Sequence, residues 1–166
     1  MTFHLYIMRH AKSDWAGTGI SDFDRPINKR GEKSAVRIGQ WMLENNHIPQ
    51  KIISSSANRA RQTIDLVLKQ FDDSYENISY EKDLYLADAD TLLEYIQLYK
   101  ANVDSLMLVA HNPGLEHLIH FLEKGSKDYQ SMTTANLAIF KYSDNQFDPF
   151  TDKGELIKFI KPKELI

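Results

Sequence analysis

The sequence contains no cysteine. That absence removes disulfides, thiolate nucleophiles and cysteine-type zinc sites together. No apolar run approaches the roughly 20 residues of a membrane-spanning helix. The first residues do not form a basic segment followed by a long apolar one, because His4 and Arg9 interrupt the run, so no secretory leader is read there. Positive charge is not in excess either. The net charge of −3 argues against a broad nucleic-acid footprint, although one basic pocket can still sit in an acidic protein. Internal repeats, low-complexity tracts and linkers are lacking too. A soluble cytoplasmic protein without nucleic-acid or membrane partners is expected.

What is present suits one domain over residues 1–166. Hydrophobic residues at 42% and charged residues at 26% are globular proportions. The organising stretch is Phe3 to Asp14. Its apolar run, Leu5 to Met8, reads as a buried strand. Arg9 and His10 follow at once. Ligands in open α/β sheets bind at the carboxyl ends of strands, so a permanent cation and a potential nucleophile stand at such an end.

A polar loop spans 11–28, with Trp15 and Phe23 as expected anchors to the body. Its length marks it as a functional segment. Asn28 reads as an N-cap, and 29–45 as a helix with Ala35, Ile38 and Met42 on its apolar stripe. Residues 51–54 read as a second strand. Ser56 is the expected cap of a helix over about 57–71, whose face is Ala60, Ile64, Val67, Leu68 and Phe71. Arg59 and Arg61 in its first turn oppose the helix dipole. A bound anion would relieve that conflict; for Arg61, pairing with nearby acids is expected instead. Residues 78–81 read as an edge strand and 91–99 as a helix. The run 105–110, the most apolar in the chain, reads as a central strand buried on both faces. His111, Asn112 and Pro113 follow, with Asn112 expected to cap, Pro113 expected in the first helical position and a helix over 114–123. Residues 135–142 and 155–160 read as a terminal hairpin. The expected fold is α/β, with a mostly parallel central sheet, helices on both faces and an antiparallel component near the C-terminus.

Three strand ends therefore carry Arg9 and His10, Arg59, and His111. In a parallel sheet they converge. Guanidinium groups match phosphate oxygens bidentately. A histidine that attacks phosphorus must be neutral and fixed in tautomer by its other nitrogen. Cations around a phosphoryl group stabilise its equatorial oxygens. The constellation suits phosphoryl transfer through a phosphohistidine, without a metal or another cofactor.

These residues carry a resemblance. Arg9-His10-Ala11 resembles the Arg-His-Gly signature of the histidine phosphatase (phosphoglycerate mutase-like) superfamily. Residues 55–63, with Arg59-Ala60, resemble its second block, and 109–114, with His111, its third. Arg9-His10-Ala11-Lys12-Ser13, residues 24–31 and His111-Asn112-Pro113-Gly114 look like the short SixA-like branch, the protein-phosphohistidine phosphatases. The resemblance implies that His10 takes the phosphoryl group. It also implies that Arg9 and Arg59 hold phosphate, and that His111 adds a hydrogen bond to the same oxygens. There are departures: Ala11 for glycine, Ala16 for a frequent phosphate-contacting asparagine, and Asn28 for threonine. Residues 84–87 lack the wider family's general acid, with Asp83, Asp88 and Asp90 only flanking them.

A missing acid favours a phosphoramidate. An imidazole leaves readily, since its own pKa is about 6.5, whereas an alkoxide needs a proton. The expected substrate is phosphohistidine on a phosphorelay or phosphocarrier protein. A small phosphate ester (sugar or nucleotide phosphate) and a non-catalytic phosphoprotein-binding module remain the alternatives. Asp22 and Asp24 are expected to be loop ion pairs with Arg25. His117 and His120, with Glu116 and Glu123, match no standard metal-ligand spacing.

Overall fold

Alternation of side chains through the central strands sets the architecture. In the strand β1 (Phe3–Arg9), Leu5 and Ile7 enter one apolar cluster while Tyr6 and Met8 enter another. A second strand, Ser105–Ala110, does the same with Leu106 and Leu108 against Met107 and Val109. Period-two side chains that are apolar on both faces demand cover on both faces. The computed structural model, which describes residues 2–15, 19–72, 74–125 and 128–165, supplies that cover.

In chain order, β1 is followed by α1 (Lys29–Glu44), β2 (Lys51–Ser55), α2 (Asn58–Leu68), β3 (Ile78–Glu81), α3 (Ala89–Tyr99), β4 (Ser105–Ala110), α4 (Gly114–Leu122), β5 (Leu137–Tyr142) and β6 (Glu155–Ile160). Among the described residues the sheet has six strands in the order β3-β2-β4-β1-β5-β6. The pairings β3·β2, β2·β4 and β4·β1 are parallel; β1·β5 and β5·β6 are antiparallel. The helices α1 and α2 pack on the Tyr6–Met8 side, and α3 and α4 on the Leu5–Ile7 side. The expected α/β sheet, mostly parallel with a terminal antiparallel pair, is the observed one.

Several local expectations differ. Ser56 does not cap α2: Ala57 occupies that position without a side-chain bond, and the Ser56 carbonyl accepts from Arg61 Nε–H instead. Among the described residues Arg61 pairs with no acid; its guanidinium lies 4.0 Å over the Tyr80 ring, where cation–π contact replaces charge pairing. Helix α2 stops at Leu68 and gives way to a turn before Phe71. Helix α3 starts earlier than 91, because Asp88 caps it through Thr91 N–H. Asn112 does not cap α4, since its amide is drawn to the Met132 carbonyl at 2.8 Å. Pro113 precedes α4 rather than opening it. Ala135 has a φ of 60°, which ends the strand pattern there, and β5 begins at Leu137. Trp15 is no anchor: it is 82% exposed, with Arg25 stacked 4.0 Å from its ring centroid.

Two glycines hold the site loops against helices. A Cβ on Gly31 of α1 would stand 2.3 Å from the Lys12 carbonyl oxygen, so only glycine lets α1 approach the chain just past β1. On Gly114 a Cβ would stand 2.0 Å from the Ala87 carbonyl oxygen, which holds the start of α4 against the 84–87 segment.

Candidate active site

The parallel register aligns the strand ends. Arg9 pairs with Ala110 across β1·β4, and Ser54 with Val109 across β2·β4. The next residues, His10, His111 and Ser55 with the start of α2, therefore meet above one edge of the sheet. His10 and His111 have ring centroids 5.0 Å apart. His10, Arg59 and His111 are buried, and Arg9 is half-buried. The four sequence candidates thus come together and line a cavity of about 510 Å³.

The tautomer of His10 follows from its partners. Its Nδ1–H donates to the Ala11 carbonyl at 2.8 Å. A carbonyl only accepts, so the ring proton is on Nδ1 and Nε2 keeps its lone pair. Arg59 Nε–H points at that Nε2 from 3.4 Å. Burial, then the charges of Arg59, Arg9 and Arg25, push the His10 pKa down to about 3, against the contrary pull of Ala11. The imidazole is neutral at physiological pH. Its backbone is fixed as well: Thr63 Oγ1 accepts Ala11 N–H at 2.9 Å, and His10 N–H reaches the Ala110 carbonyl.

His111 is held by a residue that the sequence did not single out. Its Nε2 lies 2.7 Å from Ser55 Oγ. That oxygen also accepts Ala57 N–H, which holds it against the ring. The other ring nitrogen of His111 is Nδ1. This atom is buried without a partner among the described residues, as is Nε of Arg9. Burial and the neighbouring His10 and Arg59 push the His111 pKa down to about 3.

Asp22 and Arg25, from the loop 11–28, line the cavity as well. Asp22 faces Arg59 at 3.2 Å and Arg25 at 3.0 Å, and it accepts a hydrogen bond from the Tyr85 hydroxyl. That bond and the two arginines hold its carboxyl down at about 2, although partial burial pulls the other way. The Asp22–Arg25 ion pair was legible in the sequence; its extension to Arg59 was not. Arg25 also donates to Ser13 Oγ at 2.9 Å. Lys12 lines the cavity too, so four cations surround one carboxylate there.

Two of the acids flanking 84–87 are occupied elsewhere. Asp83 accepts from the Tyr95 hydroxyl, and Asp88 caps α3. Ala16 lies outside the described residues. On α4, Glu116 accepts Met132 N–H, and His117 and His120 lie against Tyr129. Among the described residues no group of histidine and carboxylate side chains is arranged to hold a metal ion.

Residues 5–92 match the histidine phosphatase superfamily, branch 1, across Arg9, His10 and Arg59. The chain belongs to that superfamily. Its fold superposes with a TM-score of 0.82 on a crystal structure from Agrobacterium tumefaciens assigned as the phosphohistidine phosphatase SixA. The two are 30% identical, and the match covers 96% of this chain and 98% of that one. The chain therefore falls in the SixA-like branch of that superfamily. An uncharacterized chloroplastic protein of Arabidopsis thaliana is 30% identical over 144 residues, covering 82% of this chain and 66% of its own. An uncharacterized protein of Mycobacterium tuberculosis is 36% identical over 110 residues, covering 64% and 63%. The chain thus spans under two thirds of the length of these curated relatives.

Proposed function

We propose that the chain removes phosphoryl groups from protein phosphohistidine through a transient phosphoryl group on its own His10. The observation that carries this reading is the state of His10. It is neutral, its proton is committed to Ala11, and its bare Nε2 stands among Arg9, Arg25 and Arg59.

In the first step Nε2 attacks phosphorus and forms a P–N bond. The P–N bond to the substrate imidazole breaks, and that imidazole takes a proton from water. In the second step water attacks the phosphoryl group on Nε2, inorganic phosphate leaves, and His10 returns to its starting state. Arg9, Arg59 and His111 donate to the equatorial oxygens throughout. The arginines supply positive charge at the phosphorus, so turnover is expected without a metal.

Asp22 supports a phosphoramidate rather than an ester. It is the carboxylate lining the cavity, and its pKa of about 2 keeps it ionised at neutral pH. It has no proton to give an alkoxide. An imidazole leaving group, with a pKa of about 6.5, makes far less demand for one.

The test is phosphate release from a phosphohistidine peptide with EDTA present, comparing the native protein with His10→Ala, and p-nitrophenyl phosphate alongside. Metal-free release that vanishes in the variant, with poor ester turnover, is expected. Fast ester hydrolysis with little action on phosphohistidine would make the chain a phosphomonoesterase. Binding of the phosphopeptide without turnover of either substrate would make it a binding module.

A further inference from the structure

Beside the cavity runs a second depression, of about 450 Å³, lined by Lys12, Arg30, Lys33, Arg37 and Lys163 and by no carboxylate. It is continuous with the active site, because Lys12 and Thr134 line both. All five cations are exposed. The ion pairs among the described residues are Asp22–Arg25 and Asp22–Arg59, so none of the five is neutralised by an acid. A protein of net charge −3 has nonetheless gathered five unpaired cations along one groove.

This arrangement is unfavourable for α1 itself. Arg30, Lys33 and Arg37 follow one another at three- and four-residue steps, so they share one face of the helix and repel. Arg30 and Lys33 also lie near its N-terminus, where cations oppose the macrodipole. Among the described residues no ion pair offsets this stripe.

We infer that the groove docks an acidic helical face of the phosphorylated protein substrate, beside its phosphohistidine; this rests on the reading of the substrate given above. The stripe from Arg30 to Arg37 is about 10 Å long at the helical rise of 1.5 Å per residue. Carboxylates at three- and four-residue spacing on a partner helix match that length and step. A small phosphate ester seated at His10 does not extend along it. The mouth of the cavity presents the phosphoryl group to His10, and the groove sets the direction from which the partner approaches.

The probes are two histidine-phosphorylated helical peptides. One carries glutamates three, four and seven residues from the phosphohistidine; the other carries glutamines there. The variant is Arg30→Gln/Lys33→Gln/Arg37→Gln, with Lys12 left intact because it also lines the cavity. At low salt the native protein is expected to show a KM about tenfold lower for the glutamate peptide, an advantage that screening abolishes at high salt. The triple variant should lose that advantage and still turn over free phosphohistidine at the native rate. Equal KM values for the two peptides, or an advantage that survives in the variant, would overturn the docking groove and leave the phosphohistidine reading intact. Should neither phosphopeptide be turned over, the substrate reading fails, and the groove is judged by anisotropy of the two unphosphorylated peptides. A glutamate preference lost in the variant supports the groove there, and its absence overturns it. Tighter binding of a short RNA or of anionic lipid vesicles than of the glutamate peptide would overturn the assignment to a protein.

Discussion

Ser55 decides what His111 can do. Its hydroxyl holds the imidazole through Nε2, so Ser55→Ala frees the ring to turn. A fall in kcat of about tenfold with little change in KM is expected, against about 10²–10³ for His111→Ala, which removes the donor itself. Steady-state kinetics on a phosphohistidine peptide separates the two. Asp22 makes a different prediction. As an ionised positioning residue for Arg59, its replacement in Asp22→Asn should slow phosphohistidine and p-nitrophenyl phosphate turnover by the same factor. A loss confined to the ester would make Asp22 a proton donor, contrary to its pKa of about 2. Neither the Ser55–His111 contact nor the reach of Asp22 to Arg59 was evident in the sequence. Ser55 sits in a run of three serines, and which of them faces a histidine depends on the pleat of β2. Asp22 and Arg25 lie in a segment without periodicity, where loop geometry alone brings them to Arg59. His10, Arg9, Arg59 and His111 were legible because each stands at or just beyond a recognisable strand.

The elements follow the same logic. The strand β4 was readable end to end because it is apolar on both faces, and α1 because Ala35, Ile38 and Met42 share a stripe. Boundaries were misread where a polar side chain had a better partner than the helix end, as with Asn112 and Met132 O. Close approaches were silent in the sequence. Gly31→Ala introduces a methyl group where α1 touches the Lys12 carbonyl, and that backbone cannot step aside cheaply. A loss of about 1–3 kcal/mol is expected in urea unfolding, together with reduced activity, because Lys12 lies two residues from His10. Thr63→Val keeps the shape of α2 but leaves Ala11 N–H buried without its acceptor. That should destabilise by about 1–3 kcal/mol. A Thr63→Ser variant, which keeps the hydroxyl, should recover most of it.

At the scale of the molecule, the two buried histidines tie stability to pH. Their folded pKa values, near 3, lie below the unfolded value of about 6.5. Between those limits the unfolded chain binds more protons, so stability rises with pH there. It is full above about pH 6.5 and is lost progressively as pH falls towards 3. The urea midpoint is expected to drop between pH 7 and pH 5, and to drop less in His111→Gln. With one six-stranded sheet joining all the strands described, 1–166 is expected to act as one domain. Far-UV circular dichroism and tryptophan fluorescence should then report a single coincident transition.

The position of β1 has a consequence for synthesis. It sits between β4 and β5, pairing His4 with Ser105 on one side and Phe3 with Tyr142 on the other. A ribosome makes β1 long before either of its neighbours. Contacts so distant along the chain form slowly, because a long loop must close before they repay its entropy. A nascent chain that ends near residue 92 carries Arg9, His10 and Arg59 but has no strand on either side of β1. Such a fragment has the reactive imidazole without the burial that keeps it neutral, and it should leave phosphohistidine untouched until Tyr142 has emerged.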